Sequence, residues 1–114
     1  MDRYGQYRKF NKMVAMLLQY CEFRDIPIRM GEVHRPKFVA ERYAQQGKGI
    51  INSKHRYSLA VDIWIASGTT GKRIDYKDVR YDVIADFWRY LGGEAGYYWK
   101  RKDRYHLEIK GPVL

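Results

Sequence analysis

Three side chains that can bind a metal ion stand in two short stretches of the chain. The stretch SKHRYSLAVDIWIA contains His55 and, seven residues later, Asp62, and the stretch KDRYHLEI contains His106. Two imidazoles and one carboxylate form a ligand set that suits Zn²⁺ and leaves a fourth position for water. Zinc lowers the pKa of such a water to roughly 7 and polarises a carbonyl group, which is what peptide hydrolysis requires. The three residue types therefore point to a hydrolytic zinc site, provided that the fold brings them together.

Two acidic residues near His106 extend this candidate site. Asp103, three residues before His106, is the candidate general base, because a hydrolytic site needs a base that does not ligate the metal. Glu108 shares a strand face with His106 and would orient it from behind. Spacing alone leaves other interpretations open: a solvent-facing carboxylate at Asp62 or Glu108, structural histidines, and a surface ion pair of Asp103 with the basic residues around it.

The pattern of apolar residues predicts three helices around this site. Apolar residues at helical spacing predict a first helix that includes residues 10–21, a second at 36–47 and a third at 79–91. Asp75 or Asp78 would cap the third helix, and a pair of glycines would end it. The single cysteine, Cys21, lies on the apolar face of the first helix, where core packing is its expected role.

Strands are predicted at 28–33, 59–66 and 105–109, with a loop at 47–57. In the two later strands, alternate residues are apolar and would face the core, which leaves Asp62, His106 and Glu108 on the opposite face. If these strands are sheet neighbours, the three candidate ligands converge. The order of elements predicts an α+β fold: a single compact domain in which a small, mostly antiparallel sheet packs with about three helices and carries the zinc site on one face.

Length and charge narrow the classes of function. A chain of 114 residues is expected to form one domain, residues 1–114, which is long enough for a core but not for a core plus a separate binding module. No apolar run is long enough to span a bilayer, and the N-terminal residues MDRYGQYRKFNK lack the apolar segment of a secretory signal. The net charge of +9 favours an anionic partner, which would be nucleic acid, acidic lipid or a carboxylate-rich cell wall.

At these residues the sequence resembles the VanY-like zinc D-alanyl-D-alanine peptidases. This family includes carboxypeptidases, dipeptidases and the L-alanyl-D-glutamate endopeptidases of phage endolysins. SKHRYSLAVDIW resembles the family's S-x-H-x₆-D signature, and DRYHLEI resembles its second motif, an acidic residue three positions before the last histidine ligand. GEVHRPKFVAERYAQQGKGIINSKH is similar to the segment that phage members carry upstream. The resemblance extends from about Gly31 to Ile109.

The resemblance implies a role for each motif residue. His55, Asp62 and His106 would bind one Zn²⁺ per chain, and Asp103 would be the base. Arg35 matches the arginine that contacts the substrate and stabilises the oxyanion; the alternative is a plain surface arginine. Ser53 matches the motif serine, which would bind substrate or support the turn. Two departures stand out: Ser58 replaces a common glycine, and GGEAGYYWKRK lacks the tryptophan-glycine-glycine order of many members, which leaves the cleaved bond open.

The implied function is hydrolysis of peptidoglycan stem peptides by metal-activated water. The first expectation is a monomeric phage endolysin that cleaves the L-alanyl-D-glutamate bond. It would be made in the host cytoplasm without a signal peptide and act on the cell wall after a pore-forming holin releases it. The alternative within the fold is a bacterial D-Ala-D-Ala carboxypeptidase or dipeptidase. The rival from another class is a non-enzymatic nucleic-acid-binding domain, since 22 Lys and Arg accompany 11 Tyr and 3 Trp. No recognised nucleic-acid motif is present, so we expect no specific nucleic acid partner.

Overall fold

A computed structural model describes residues 1–49 and 52–114 of the chain. Three α-helices are present in this part: α1 at Arg3–Phe23, α2 at Lys37–Gln45 and α3 at Arg80–Tyr90. Each lies where the apolar periodicity predicts it, although α1 begins earlier because Asp2 caps it by accepting a hydrogen bond from the amide of Gly5. No helix among the described residues is long and apolar enough to cross a membrane.

The start of α3 differs slightly from the prediction. Val79 occupies the cap position and makes no side-chain cap. Asp78 nevertheless accepts a hydrogen bond from the amide of Arg80 at 2.9 Å, so one of the two predicted capping residues does satisfy the helix start.

Four strands form one antiparallel sheet in the described part of the chain: β1 at Ile28–Met30, β2 at Ala60–Ile65, β3 at Gly93–Ala95 and β4 at His106–Ile109. Their spatial order is β1-β2-β4-β3, so the two strands that carry the candidate ligands are neighbours. This confirms the predicted α+β architecture with a small antiparallel sheet. Strand β3 is absent from the sequence-based prediction, because a strand of three residues that begins with the second glycine of Gly92-Gly93 carries no periodic signal.

One face of the sheet packs on α1 and α3 to form the hydrophobic core. Leu59, Val61, Ile63 and Ile65 are all at most 1% exposed, as the alternation predicts. Trp88 of α3 is completely buried in this core, and its Nε1 donates a hydrogen bond to the carbonyl of Glu108 at 2.8 Å. The helices therefore fix the strands from one side, which leaves the opposite face of the sheet available for polar groups.

The predicted loop at 47–57 contains a 3₁₀ turn at Lys54–Tyr57. Ser53 begins this turn, and Ser58 ends it with φ 57°, in the left-handed region. Residues 50 and 51 of the predicted loop lie outside the described residues. A second 3₁₀ turn, at Gly96–Tyr98, follows β3 directly.

Candidate metal centre

The register between β2 and β4 brings two of the three candidate ligands together. Asp62 of β2 lies directly opposite His106 of β4 in the antiparallel ladder. His55 lies in the 3₁₀ turn that precedes β2. One ligand atom from each of these three residues lies within 4.8 Å of the other two. The predicted convergence of the triad therefore occurs in the structure.

The two imidazoles present one nitrogen each to the same carboxylate oxygen. Oδ1 of Asp62 lies 3.2 Å from Nε2 of His55 and 3.6 Å from Nδ1 of His106. The rings stand nearly perpendicular, with centroids 4.9 Å apart. Both histidines are buried, whereas the Asp62 side chain is 24% exposed. The cluster is therefore enclosed by protein on the histidine side and open towards solvent on the carboxylate side.

The other nitrogen of each imidazole already has a partner. With His55 protonated at Nδ1, that N–H donates to the carbonyl of Val33 at 3.1 Å, and with His106 protonated at Nε2, that N–H donates to Oε1 of Glu108 at 2.7 Å. These are the tautomers that leave His55 Nε2 and His106 Nδ1 as lone-pair donors beside Asp62. The donor set therefore fits Zn²⁺, with two borderline imidazoles and one carboxylate, each imidazole oriented by a hydrogen bond on its far side.

Lys54 completes the support behind His106. Its Nζ lies 2.6 Å from Oε2 of Glu108 and donates to the carbonyl of Ile109 at 2.9 Å. The Glu108 side chain is only 11% exposed, so its negative charge is stabilised by Lys54 on one oxygen and by His106 on the other. The interpretation of Glu108 as a solvated strand residue does not fit this burial.

The pKa values follow from this chain of charges. Burial raises the pKa of Asp62, but hydrogen bonds with His106 and His55 outweigh it and hold that pKa well below its usual range. For His106, burial lowers the pKa, and hydrogen bonds with Asp62 and Glu108 more than compensate and raise it to about 9. The pKa of Glu108 is lowered because its bonds to His106 and Lys54 outweigh its burial. In the metal-free protein a positive charge on His106 thus balances two carboxylates, and a bound cation would take over that role.

Asp103 lies close to the triad but is not part of it. A Cβ built on Gly96 would stand 3.1 Å from Cβ of Asp103 and 3.2 Å from Cβ of His106, so both side chains begin next to this glycine. The amide of Asp103 donates to the carbonyl of Gly96, and its Oδ1 accepts a hydrogen bond from the amide of Tyr105 at 3.3 Å. Because that Cβ would also stand 2.5 Å from the Asp103 carbonyl oxygen, only glycine fits at position 96.

Arg35 is connected to the same centre through Glu32. Its amide donates to the carbonyl of His55 at 2.8 Å, and its Nε donates to Oε1 of Glu32 at 2.8 Å. The same Glu32 oxygen lies 3.7 Å from Nδ1 of His55. The guanidinium is held over the ring of Tyr43, and its side chain is 13% exposed. Arg35 is therefore a fixed, largely buried arginine beside His55, unlike a plain surface arginine.

Ser53 occupies a supporting position. Its Oγ accepts a hydrogen bond from the amide of His55 at 3.3 Å, and the residue is 7% exposed. This contact fixes the first turn of the 3₁₀ segment that carries His55. Of the two roles open for Ser53, the geometry favours support of the turn over contact with substrate.

Sequence reasoning missed Glu32, Lys54 and Trp99. The Trp99 ring lies with its centroid 4.9 Å from that of His106, and its Nε1 donates to Oε1 of Glu94 at 3.0 Å. Lys54 occupies the variable position of the S-x-H motif, and Glu32 and Trp99 match no motif residue. The contacts of Lys54 with Glu108 and of Glu32 with His55 join residues remote in sequence, so spacing gave no signal for them. For Trp99, the only hint was a tryptophan in the stretch before Asp103.

Comparison with known proteins places the fold. No protein-family model matches the sequence, and no curated protein matches it. Two solved structures are similar. The L-Ala D-Glu endopeptidase ChiX of Serratia marcescens is 19% identical with a TM-score of 0.73, and the alignment covers 96% of this chain and 87% of that chain. The LD-carboxypeptidase LdcB, a protein that recognises peptidoglycan, is 13% identical with a TM-score of 0.64.

The coverage differs between the two similar structures. The alignment with LdcB includes 90% of this chain but only 58% of that chain, so this chain spans somewhat more than half of it. At these identities the likeness shows the fold. The resemblance carried by the two histidine motifs is confirmed at that level: this chain has the fold of an L-Ala D-Glu endopeptidase and of an LD-carboxypeptidase, which is the kind of peptidase that its motifs indicated.

Proposed function

We propose that this protein is a zinc-dependent peptidase that hydrolyses peptidoglycan stem peptides. The observation that carries the proposal is the convergence of His55, Asp62 and His106, with ligand atoms within 4.8 Å of one another, on a fold shared with two peptidases. The residues that would hold one zinc ion per chain are His55 through Nε2, His106 through Nδ1 and Asp62 through its carboxylate. When bound there, zinc would supply Lewis-acid activation of a water molecule and of the scissile carbonyl.

The chain's own groups would handle the protons and the developing charge. Asp103 accepts a proton from the attacking water and returns it to the leaving amine, a role that its position beside His106 supports. Arg35 donates hydrogen bonds to the carbonyl oxygen as negative charge develops on it. Glu32 engages Nε and one Nη of Arg35, which leaves the other guanidinium N–H groups for the substrate.

The L-alanyl-D-glutamate bond is the first candidate for cleavage. The alignment with the L-Ala D-Glu endopeptidase covers 96% of this chain at the higher TM-score, which supports this assignment. Carboxypeptidase activity is the second candidate, because an LD-carboxypeptidase shares the fold. In the endolysin role that we propose, the basic net charge of +9 attracts the enzyme to the anionic cell wall after a holin opens the membrane.

Metal content and wall digestion test this function together. We expect about one zinc ion per chain by mass spectrometry, lost in Asp62→Asn because that variant removes the ligand charge. Asp25→Asn is the matched control, since Asp25 is exposed and has φ 54°, a conformation that asparagine tolerates. Asp103→Asn should keep the zinc but lower the hydrolysis rate roughly 10²-fold to 10⁴-fold.

Purified sacculi then identify the bond. New amino termini on D-glutamate, together with new carboxyl termini on L-alanine, indicate the endopeptidase, whereas a free terminal amino acid indicates the carboxypeptidase. A protein that takes up no zinc on reconstitution, or a zinc-loaded protein that releases neither product, would contradict the proposed function.

A further inference from the structure

Arg73 lies between two aromatic rings at the end of the sheet that carries the metal centre. Its guanidinium carbon is 5.4 Å from the centroid of the Trp64 ring and 5.2 Å from that of the Tyr105 ring. Arg35 and Arg80, by contrast, are each paired with a carboxylate. In the described residues, 1–49 and 52–114, no acidic side chain lies within ion-pair distance of Arg73 and its side chain donates no hydrogen bond.

The backbone around Arg73 is fixed as well. Arg73 forms an antiparallel bridge with Ala66, just beyond the end of β2. On either side of the bridge, the amide of Ile74 donates to the carbonyl of Ile65 at 2.8 Å, and the amide of Ser67 donates to the carbonyl of Lys72 at 2.8 Å. The backbone of Arg73 is therefore fixed by these hydrogen bonds, and its guanidinium is held by the two rings. Its donors, which lie in the guanidinium plane, are not used by an acid of the described chain.

The two rings that hold Arg73 belong to the surroundings of the metal centre. Trp64 follows Asp62 by two residues, so both side chains are on the same face of β2. A Cβ built on Gly31 would stand 3.1 Å from Cζ2 of Trp64 and 3.2 Å from Cβ of Asp62, which places the indole next to that ligand. Tyr105 directly precedes His106, and its amide donates to Oδ1 of Asp103. Arg73 is thus held by the neighbours of two metal ligands and of the candidate base.

We propose that Arg73 binds a carboxylate of the substrate beside the scissile bond and so selects stem peptides that carry a free acid there. A planar guanidinium that is already oriented loses little freedom when it binds a carboxylate through two parallel hydrogen bonds. The inference rests on the proposed function. In an L-alanyl-γ-D-glutamyl peptide, the carbon next to the leaving amine carries the free α-carboxylate of glutamate, which is the group assigned to Arg73.

Binding of two matched peptides tests this assignment. The first peptide contains L-alanyl-γ-D-glutamyl-L-lysine with a free α-carboxylate, and the second carries an α-amide at the same carbon. Calorimetry is done on zinc-loaded Asp103→Asn protein, in which turnover is slowed, with Arg73 intact or changed to Gln. We expect Arg73→Gln to weaken binding of the acid peptide roughly 10-fold to 100-fold, while the amide peptide binds both proteins equally weakly.

Two further variants distinguish the effect of the planar guanidinium donors on binding from the effect of net charge. Arg73→Lys keeps the charge but loses the planar pair of donors, so it should recover only part of the discrimination between acid and amide. Arg24→Gln removes one charge from a guanidinium that also stacks on a ring, that of Tyr20 on α1, and should change neither affinity. Thermal unfolding of each variant verifies that the fold is retained.

Each outcome bears on one of the two proposals. If Arg73→Gln weakens both peptides alike or neither, or if the protein with Arg73 intact does not bind the acid peptide, the assignment of Arg73 is overturned. If the acid peptide binds with the expected discrimination but wild-type protein cleaves neither it nor sacculi, the assignment stands and the proposed peptidase function fails. With both correct, Arg73→Gln in the otherwise wild-type enzyme raises KM for the acid peptide and leaves kcat nearly unchanged.

Discussion

The two faces of the sheet differ in what holds them together, although the same strands build both. On the core face, Val61 and Ile63 are at most 1% exposed and pack against helices. On the opposite face, Asp62 stands between them in sequence, and its carboxylate contacts the imidazoles of His55 and His106. The difference shows that a strand with period-2 alternation can serve a core and a charged site at once, because the hydrophobic face fixes the backbone that positions the polar one.

The polar face is held by a continuous series of polar contacts. The series runs from Lys54 through Glu108, His106 and Asp62 to His55. Each of these contacts shares a residue with the next, whereas the apolar contacts of the core are non-directional and stabilise through the area that they bury. We therefore expect substitutions on the core face to change stability first and substitutions on the polar face to change metal affinity first.

The largest effect is expected on the core face, for Ile63→Ala, which should change stability but not zinc binding. Removing this completely enclosed side chain leaves a cavity under β2 and should lower the free energy of unfolding by about 2–5 kcal/mol. Zinc content of the folded protein should stay unchanged, as measured by denaturant titration alongside mass spectrometry. Phe23→Ala is the control, because Phe23 is 83% exposed and its loss should cost less than about 0.5 kcal/mol. Equal effects of the two changes would mean that the core face is not where stability resides.

The polar face is tested by Glu108→Gln. This change keeps the size of the side chain but removes the charge that receives His106 Nε2–H and Lys54, and should weaken zinc affinity roughly 10-fold to 100-fold in a chelator competition. Glu94→Gln is the matched control. Glu94 lies opposite Glu108 in the register of β3 and β4, but its carboxylate accepts a hydrogen bond from Trp99 and none from His106 or Lys54. If both variants bind zinc like the wild type, Glu108 does not orient the metal ligand.

The smallest effect is expected for Ser53→Ala, at the entrance to the turn that carries His55. Loss of the hydrogen bond from the His55 amide should lower the free energy of unfolding by about 1 kcal/mol and leave KM unchanged. Ser67→Ala is the comparison variant, because Ser67 Oγ likewise accepts hydrogen bonds from backbone amides, those of Thr69 and Thr70, in a turn away from His55. It should also lower stability and leave KM unchanged. A raised KM for Ser53→Ala with unchanged stability would instead favour substrate contact.

Several features of this protein follow from local rules and were therefore readable in the sequence. Helical spacing located α1, α2 and α3, and alternation assigned Leu59 and its alternate neighbours to the core. The types of His55, Asp62 and His106 predicted a metal-binding set, whose ligand atoms the fold brings within 4.8 Å of one another, and the motif resemblance indicated the fold that the comparisons confirm. These inferences succeed because helix and strand periods are properties of the backbone, and ligand preference is a property of the side chain.

Only the tertiary structure determined how distant segments meet. The register that sets Asp62 opposite His106 joins residues 44 positions apart, and it depends on both strands packing against the same helices. The same packing also produced four features that no local pattern indicated. These are the short strand β3, the approach of Trp99 to His106, the link from Arg35 through Glu32 to His55, and the position of Arg73 between Trp64 and Tyr105. The sequence by itself determined which metal-binding and acid–base side chains the chain carries. Long-range packing decided which of these side chains meet and what supports them, because non-local contacts are fixed by the sum of many burials and by no single local pattern.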